Sequence, residues 1–323
     1  MTAVSASAPG KVVLCGEYAV LDGAPAICMA VNRRAKARVT NIDGDRHRVS
    51  APGYSEREGW FTANGRVIDW LQAADDYTIV DAVWRTLGPA AKGSLCIELD
   101  ARTFVDQESG KKIGIGSSAA LIVALVAALG RSCGVLTHAS SAHRLFQHGV
   151  GSGADIATSV RGGLLEYRMI EAPITSLRWP DGLAYRLVWT GVPASTMNRL
   201  DRLRSTGQRT SRQQLITAAE IMARAWRSTS AVLSEYPAYI EALRKFSVDH
   251  DLGIFDAGHE QLATAAAAVG LVYKPCGAGG GDVGILLGGS GEQLDDFMSG
   301  QVDSDCRVLD CQLESNGVEL ELS

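Results

Sequence analysis

The alternation of apolar and polar residues changes period along the chain, and each change marks an element. Short apolar or alternating runs bounded by Gly, Pro and Asn predict strands over 12–15, 26–31, 35–40, 95–99, 164–167, 185–189, 283–287 and 307–313. Helical spacing predicts helices over 76–87, 138–148, 212–234, 238–246, 256–268 and 293–298. Residues 43–64, rich in glycine and charge, read as a hairpin or loop excursion at the surface. One run has no period at all. From Leu121 to Leu129 every residue is apolar, with no proline or glycine, which predicts a buried helix. Pro173, Pro180 and Gly182 punctuate 171–182, the best position for a boundary between two lobes, 1–178 and 179–323. Strands and helices mix in both halves, so the fold class is α+β or α/β with two lobes.

Composition narrows the function. The 323 residues are 46% hydrophobic and 21% charged, which suits an ordinary globular protein rather than a disordered one. The formal net charge of −5 argues against a nucleic-acid partner, which would select a basic surface. No apolar run is long enough to span a bilayer, and the N-terminus lacks a basic-then-apolar signal pattern. Seven scattered cysteines form no C-x-x-C pair, so reduced thiols and a cytoplasmic location are expected, with no zinc site. Composition leaves monomer and homodimer equally open.

The residues before the buried helix read Lys111-Lys112-Ile113-Gly114-Ile115-Gly116-Ser117-Ser118-Ala119-Ala120. Glycines admit a ligand close to the backbone, serines suit an N-cap, and a helix mouth favours negative charge. The combination predicts an anion site, or else an ordinary glycine turn capping a core helix. Gly114-x-Gly116-x-x-Ala119 also fits a dinucleotide fingerprint, which would make the chain an NAD-dependent oxidoreductase. That fingerprint needs a preceding buried strand and an acid about 20 positions on for the ribose. Here a polar loop precedes it, and no Asp or Glu occurs between Gly114 and Ala154. An acid-free stretch carrying Lys111, Lys112, Arg131 and Arg144 suits a polyphosphate better.

Pro9-Gly10-Lys11, Gly114 to Ala120, and Gly277-Ala278-Gly279-Gly280-Gly281-Asp282 occur in that order and resemble the three motifs of the GHMP kinases. The resemblance covers nearly the whole chain. It implies an N-terminal lobe with a left-handed βαβ crossover, a ferredoxin-like C-terminal lobe, and ATP and acceptor meeting between them. Gly16-Glu17-Tyr18, Ala142-His143, Gln147, Gly151-Ser152-Gly153-x-Asp155 and Trp189 to Thr196 are similar to the phosphomevalonate kinase branch. Mevalonate kinases carry a magnesium-binding Glu where this chain has Arg144. His148 and Ala154 depart from the branch pattern, where Gly and Phe are commoner.

The activity implied is ATP- and Mg²⁺-dependent phosphorylation of (R)-5-phosphomevalonate to the 5-diphosphate, in isoprenoid precursor synthesis. Mevalonate kinase or another small-molecule kinase of the family is the alternative. By resemblance, Lys11 and Asp155 are catalytic. Lys112, Gly114, Ile115, Gly116, Ser117, Ser118 and Ala119 would bind ATP, with Ser118 Oγ on Mg²⁺. Tyr18, Ser152, Gly153, Ser195, Gly277 and Ala278 would line the acceptor pocket. Lys111 and Lys112 are candidates for the acceptor's own phosphate. Taken alone, Lys11 reads as an exposed strand end and Asp155 as a helix N-cap before Ile156. The histidines receive no role, because His143 and His148 lie five apart and off one helical stripe.

Overall fold

The computed structural model describes residues 3–88, 93–130, 134–169, 173–194, 196–207, 209–301 and 306–322. The chain opens with a long hairpin, β1 (Ala3–Cys15) and β2 (Ala26–Ile42), followed by a meander of β3 (His47–Ala51), β4 (Ser55–Asn64) and β5 (Val67–Gln72). Helix α1 (Thr78–Leu87) and β6 (Ser94–Asp100) lead to three helices, α2 (Ser117–Gly130), α3 (Val135–Phe146) and α4 (Ala154–Arg161). Short strands β7 (Leu164–Tyr167) and β8 (Thr175–Leu177) follow. Then come β9 (Ala184–Trp189) and four helices: α5 (Thr196–Thr206), α6 (Thr210–Ala225), α7 (Thr229–Asp249) and α8 (His259–Ala268). The chain ends with β10 (Val272–Pro275), β11 (Val283–Gly288), α9 (Gly291–Ser299), β12 (Arg307–Leu309) and β13 (Glu319–Leu322).

Two sheets organise these elements. The larger runs β13-β1-β2-β6-β3-β4-β5, with β7 on β2 and β8 on β7. Strand β2 is long enough to serve two partners, β7 through Ala26–Met29 and β6 through Lys36–Ile42. The smaller sheet has the order β10-β11-β9-β12 and is antiparallel throughout. With helices between β9 and β10 and between β11 and β12, this is the ferredoxin-like arrangement. The last strand returns to the larger sheet, where Glu319–Leu322 pairs with β1.

Helix α2 is the hub. Ala119 to Leu129 are all buried, and the helix packs on β1, β2, α1 and α3. A helix apolar on every side needs such surroundings. Its first intrahelical bond runs from Ala120 N–H to Gly116 O, 3.2 Å. The cap is therefore Gly116, and the serines occupy the first turn instead of capping it. The N–H groups of that first turn have no intrahelical acceptor and face the glycine turn.

Several elements differ from the sequence reading. The excursion at 43–64 is strand for most of its length. The helix predicted over 212–234 is two, because Trp226 is buried and Ser228 caps a new helix by accepting from Ala231 N–H. That second helix then runs through Pro237 without ending. Helix α5 and strands β5, β8, β10 and β13 have no counterpart in the sequence reading. The six described cysteines are free, and Cys133 lies outside the described residues. No helix among the described residues is long and apolar enough to cross a membrane.

Candidate active site

The β1–β2 register shifts at Pro9/Gly10, just before Lys11. Lys11 N–H donates to Ile115 O at 2.8 Å, which ties the strand to the glycine–serine turn. Gly116 has φ +85°, and a Cβ there would lie 3.3 Å from both Cγ and Cε of Lys11. The lysine stem therefore runs along the turn, over the mouth of α2. Glycine takes that φ without strain and leaves the lysine stem its room.

Helix α4 brings the carboxylate. Gly153 is its N-cap at φ +79°, so Asp155 is the second helical residue and not the cap. Asp155 Oδ1 accepts from Ile156 N–H at 2.9 Å, while Oδ2 lies 3.4 Å from His143 Nε2. His143 comes from α3 and is buried. Four residues on, Gln147 lies against Gly151, so a Cβ on Gly151 would collide with its amide. His143 and Gln147 thus share the helix stripe that faces the Gly151–Asp155 loop.

The third glycine segment comes from the smaller sheet. Gly280 N–H donates to Ile254 O and Asp282 N–H to Val192 O, each at 2.7 Å. His259 is fully buried, and burial lowers its pKa to about 4, so its ring is neutral. Its Nε2 lies 2.9 Å from Gly281 O, which can only accept. Nε2 therefore carries the proton, and Nδ1 accepts from the Tyr273 hydroxyl at 2.8 Å. Asp282 closes the loop onto the glycine–serine turn, since a Cβ on Gly114 would fall inside its carboxyl group. Burial raises the Asp282 pKa to about 6, against the pull of Ala194 N–H, Lys11 and Arg199.

A buried ion pair joins the two sheets beside this cleft. Lys274, on β10, is completely enclosed and binds Glu17 Oε1. Tyr239 of α7 donates to Glu17 Oε2 at 2.5 Å and accepts from Gly16 N–H at 2.7 Å. Burial works against the ammonium, yet the Cys276 and Glu17 side chains carry its pKa above the ordinary lysine value. The next residue, Tyr18, sits at φ +60°, uncommon for a non-glycine residue. Its hydroxyl donates to Ala278 O at 2.7 Å, reaching the third glycine segment.

One cleft collects these groups. Lys11, Lys112, Gly114, Gly116, Ser117, Ser118 and Ala119 line one part. Tyr18, Ser152, Asp155, Gly277 and Ala278 line another part, joined by Glu17, His143, Gln147 and Asp282, for which sequence reasoning had given no role. Two of the other expected residues are placed differently. Ile115 buries its side chain in the core and offers its carbonyl to Lys11. Gly153 shapes the turn into α4 from outside the cleft lining. Ser195 lies outside the described residues. Lys111 donates to Gly191 O at 3.0 Å across the lobes, and Lys112 lies 5.3 Å from the Tyr54 ring centre.

The model for the GHMP kinases N terminal domain matches residues 78–163. The phosphomevalonate kinase of Streptomyces sp. (strain CL190) is 31% identical over 331 residues, spanning 87% of this chain and 88% of that protein. The chain is a GHMP kinase. The mevalonate kinase of Bos taurus is 30% identical over 345 residues, covering 87% of this chain and 85% of that one. Among solved structures, Streptococcus pneumoniae phosphomevalonate kinase in complex with phosphomevalonate and AMPPNP superposes with a TM-score of 0.77 at 17% identity. That likeness covers 96% of this chain and 99% of that one, and it establishes the shared fold. GHMP kinases are phosphotransferases that use ATP.

Proposed function

We propose that this kinase transfers the γ-phosphoryl group of ATP to the phosphate of (R)-5-phosphomevalonate, giving 5-diphosphomevalonate, with Mg²⁺ as cofactor. The observation that carries the choice of acceptor is the 31% identity to Streptomyces phosphomevalonate kinase across most of both chains. Mevalonate kinase is the second reading, favoured by the bovine relative at 30%. Arg144 speaks against it, since a cation stands where mevalonate kinases hold a magnesium-binding acid.

Phosphoryl transfer depends on positioning and on neutralising charge more than on covalent help. The N–H groups of the first turn of α2 bind the β- and γ-phosphates at the positive end of the helix. The Lys11 ammonium, held over that turn, balances charge that builds on the transferring group. An acceptor phosphate oxygen attacks the γ-phosphorus as the bond to the β–γ bridging oxygen breaks, and ADP leaves. A phosphate monoester has a second pKa of about 6, so the acceptor is largely dianionic at neutral pH. Asp155 then acts mainly by orienting Lys11 and the attacking oxygen, with little proton removal left to do.

Among the described residues no cluster of three or more His, Cys, Asp or Glu side chains could hold a metal alone. Magnesium keeps few protein ligands and fills its shell with phosphate oxygens and water, and the Ser118 hydroxyl on the cleft lining would be its protein ligand. When bound, the ion supplies charge neutralisation at the phosphates. Tyr18, Ser152, Gly277 and Ala278 form the acceptor side.

The test is ADP release with each acceptor in turn. Turnover with phosphomevalonate and none with mevalonate supports the proposal. Turnover with mevalonate alone replaces it with the second reading.

A further inference from the structure

We infer that His143 is a positioning residue for Asp155, a role that rests on the kinase reading above. Three observations carry it. His143 is 4% exposed, so its ring is held by packing, stacked on Phe146 with 6.3 Å between ring centres. Its Nε2 is buried with no hydrogen-bond partner, and a buried polar nitrogen left unpaired is costly. The atom it faces is Asp155 Oδ2 at 3.4 Å, just beyond good hydrogen-bond length.

Asp155 Oδ1 is already held by Ile156 N–H, so the carboxylate has one fixed oxygen and one free to swing. A small rotation about the Asp155 side chain brings Oδ2 within reach of Nε2–H. The carboxylate is then pinned at both oxygens, with its remaining lone pairs directed into the cleft it shares with Lys11. Catalytic hydrogen bonds are often long before substrate arrives and shorten in the loaded complex. This role needs no contact between His143 and ATP or the acceptor. It acts through Asp155, as the partner that fixes a working carboxylate in one rotamer.

The test is steady-state ADP release with the acceptor the enzyme turns over, measured on His143→Phe, His143→Gln, Asp155→Asn and the His143→Phe/Asp155→Asn pair. Phe keeps the ring packing and removes the donor, whereas Gln places an amide N–H near Nε2. Thermal unfolding and binding of a non-hydrolysable ATP analogue check that each variant is folded. The expected result is a kcat lower by about ten- to a hundredfold in His143→Phe, the range for one charge-assisted hydrogen bond. KM for ATP stays within about twofold, because the loss falls on the reacting geometry. His143→Gln recovers most of kcat. In the Asp155→Asn background, His143→Phe costs nothing more, as expected of residues acting as one unit.

Unchanged kcat in a folded His143→Phe overturns the inference. So does a Gln variant no better than Phe, or losses that multiply in the double variant. Near-normal turnover in Asp155→Asn is a different result, which removes the catalytic role of Asp155 and the positioning role with it.

Discussion

Replacing Lys274 with Met tests how the two sheets are held around the cleft. The side chains are similar in length, but the substitution takes the ammonium from a site with no exposure and leaves the buried Glu17 carboxylate with only the Tyr239 hydroxyl. Breaking a buried pair from one side costs ~3–5 kcal/mol, chiefly because the surviving charge stays buried. Against a typical total stability of ~5–15 kcal/mol, that is a large fraction. The companion Glu17→Gln/Lys274→Met removes both charges and is expected to recover most of the loss. The Lys274 pKa is raised on folding, so the pair's contribution is full below the ordinary lysine value of 10.5 and is lost as pH climbs past the folded one. Urea unfolding of the three proteins at neutral pH measures this. A single variant within about 1 kcal/mol of wild type, or a double variant weaker than the single, would refute the reasoning.

Lys11→Met is expected to lower kcat by orders of magnitude while the protein stays folded, because the side chain lies over the α2 mouth. Near-normal turnover would remove its role. Asp282→Asn should stabilise the protein at pH 7.5 by up to ~3 kcal/mol, since folding raises the wild-type pKa from 3.8 to about 6 and the charged form is the disfavoured one. Wild-type stability therefore recovers as pH falls from 6 towards 4, and the advantage of the variant should vanish over that window. A gain that does not depend on pH would contradict the assignment.

Much of the fold could be read from local pattern. Helix α2 declared itself by unbroken apolar residues, and the three glycine segments by their order along the chain. What local pattern could not show were contacts between distant residues. Strand β10 ends in Lys-Pro, which reads as a loop, because nothing nearby says that Lys274 is enclosed with Glu17, 257 positions away. Helix α7 passes through Pro237 because tertiary contacts on either side hold it, Tyr236 to Leu14 O and Tyr239 to Glu17. The break before it had a visible signal in Ser228-Thr229-Ser230, a run of N-cap residues inside an amphipathic stretch.

The candidate site divides in the same way. Lys11, Asp155 and the glycine–serine turn lie within recognisable segments. His143 was set aside because it was paired with His148, five residues on, when the residue on its stripe is Gln147, four residues on. Asp282 stands at the end of a glycine run, and its approach to Gly114 exists only once both sheets are assembled.

Phosphoryl transfer here depends above all on the mouth of α2, Lys11 and Asp155 converging on a triphosphate. A crystal structure with a non-hydrolysable ATP analogue and phosphomevalonate tests this most directly. The expected complex has the β- and γ-phosphates on the N–H groups of the first turn of α2, Lys11 Nζ beside the γ-phosphate, and Asp155 facing the acceptor phosphate. A triphosphate bound elsewhere, or Lys11 and Asp155 turned away from it, would contradict the account.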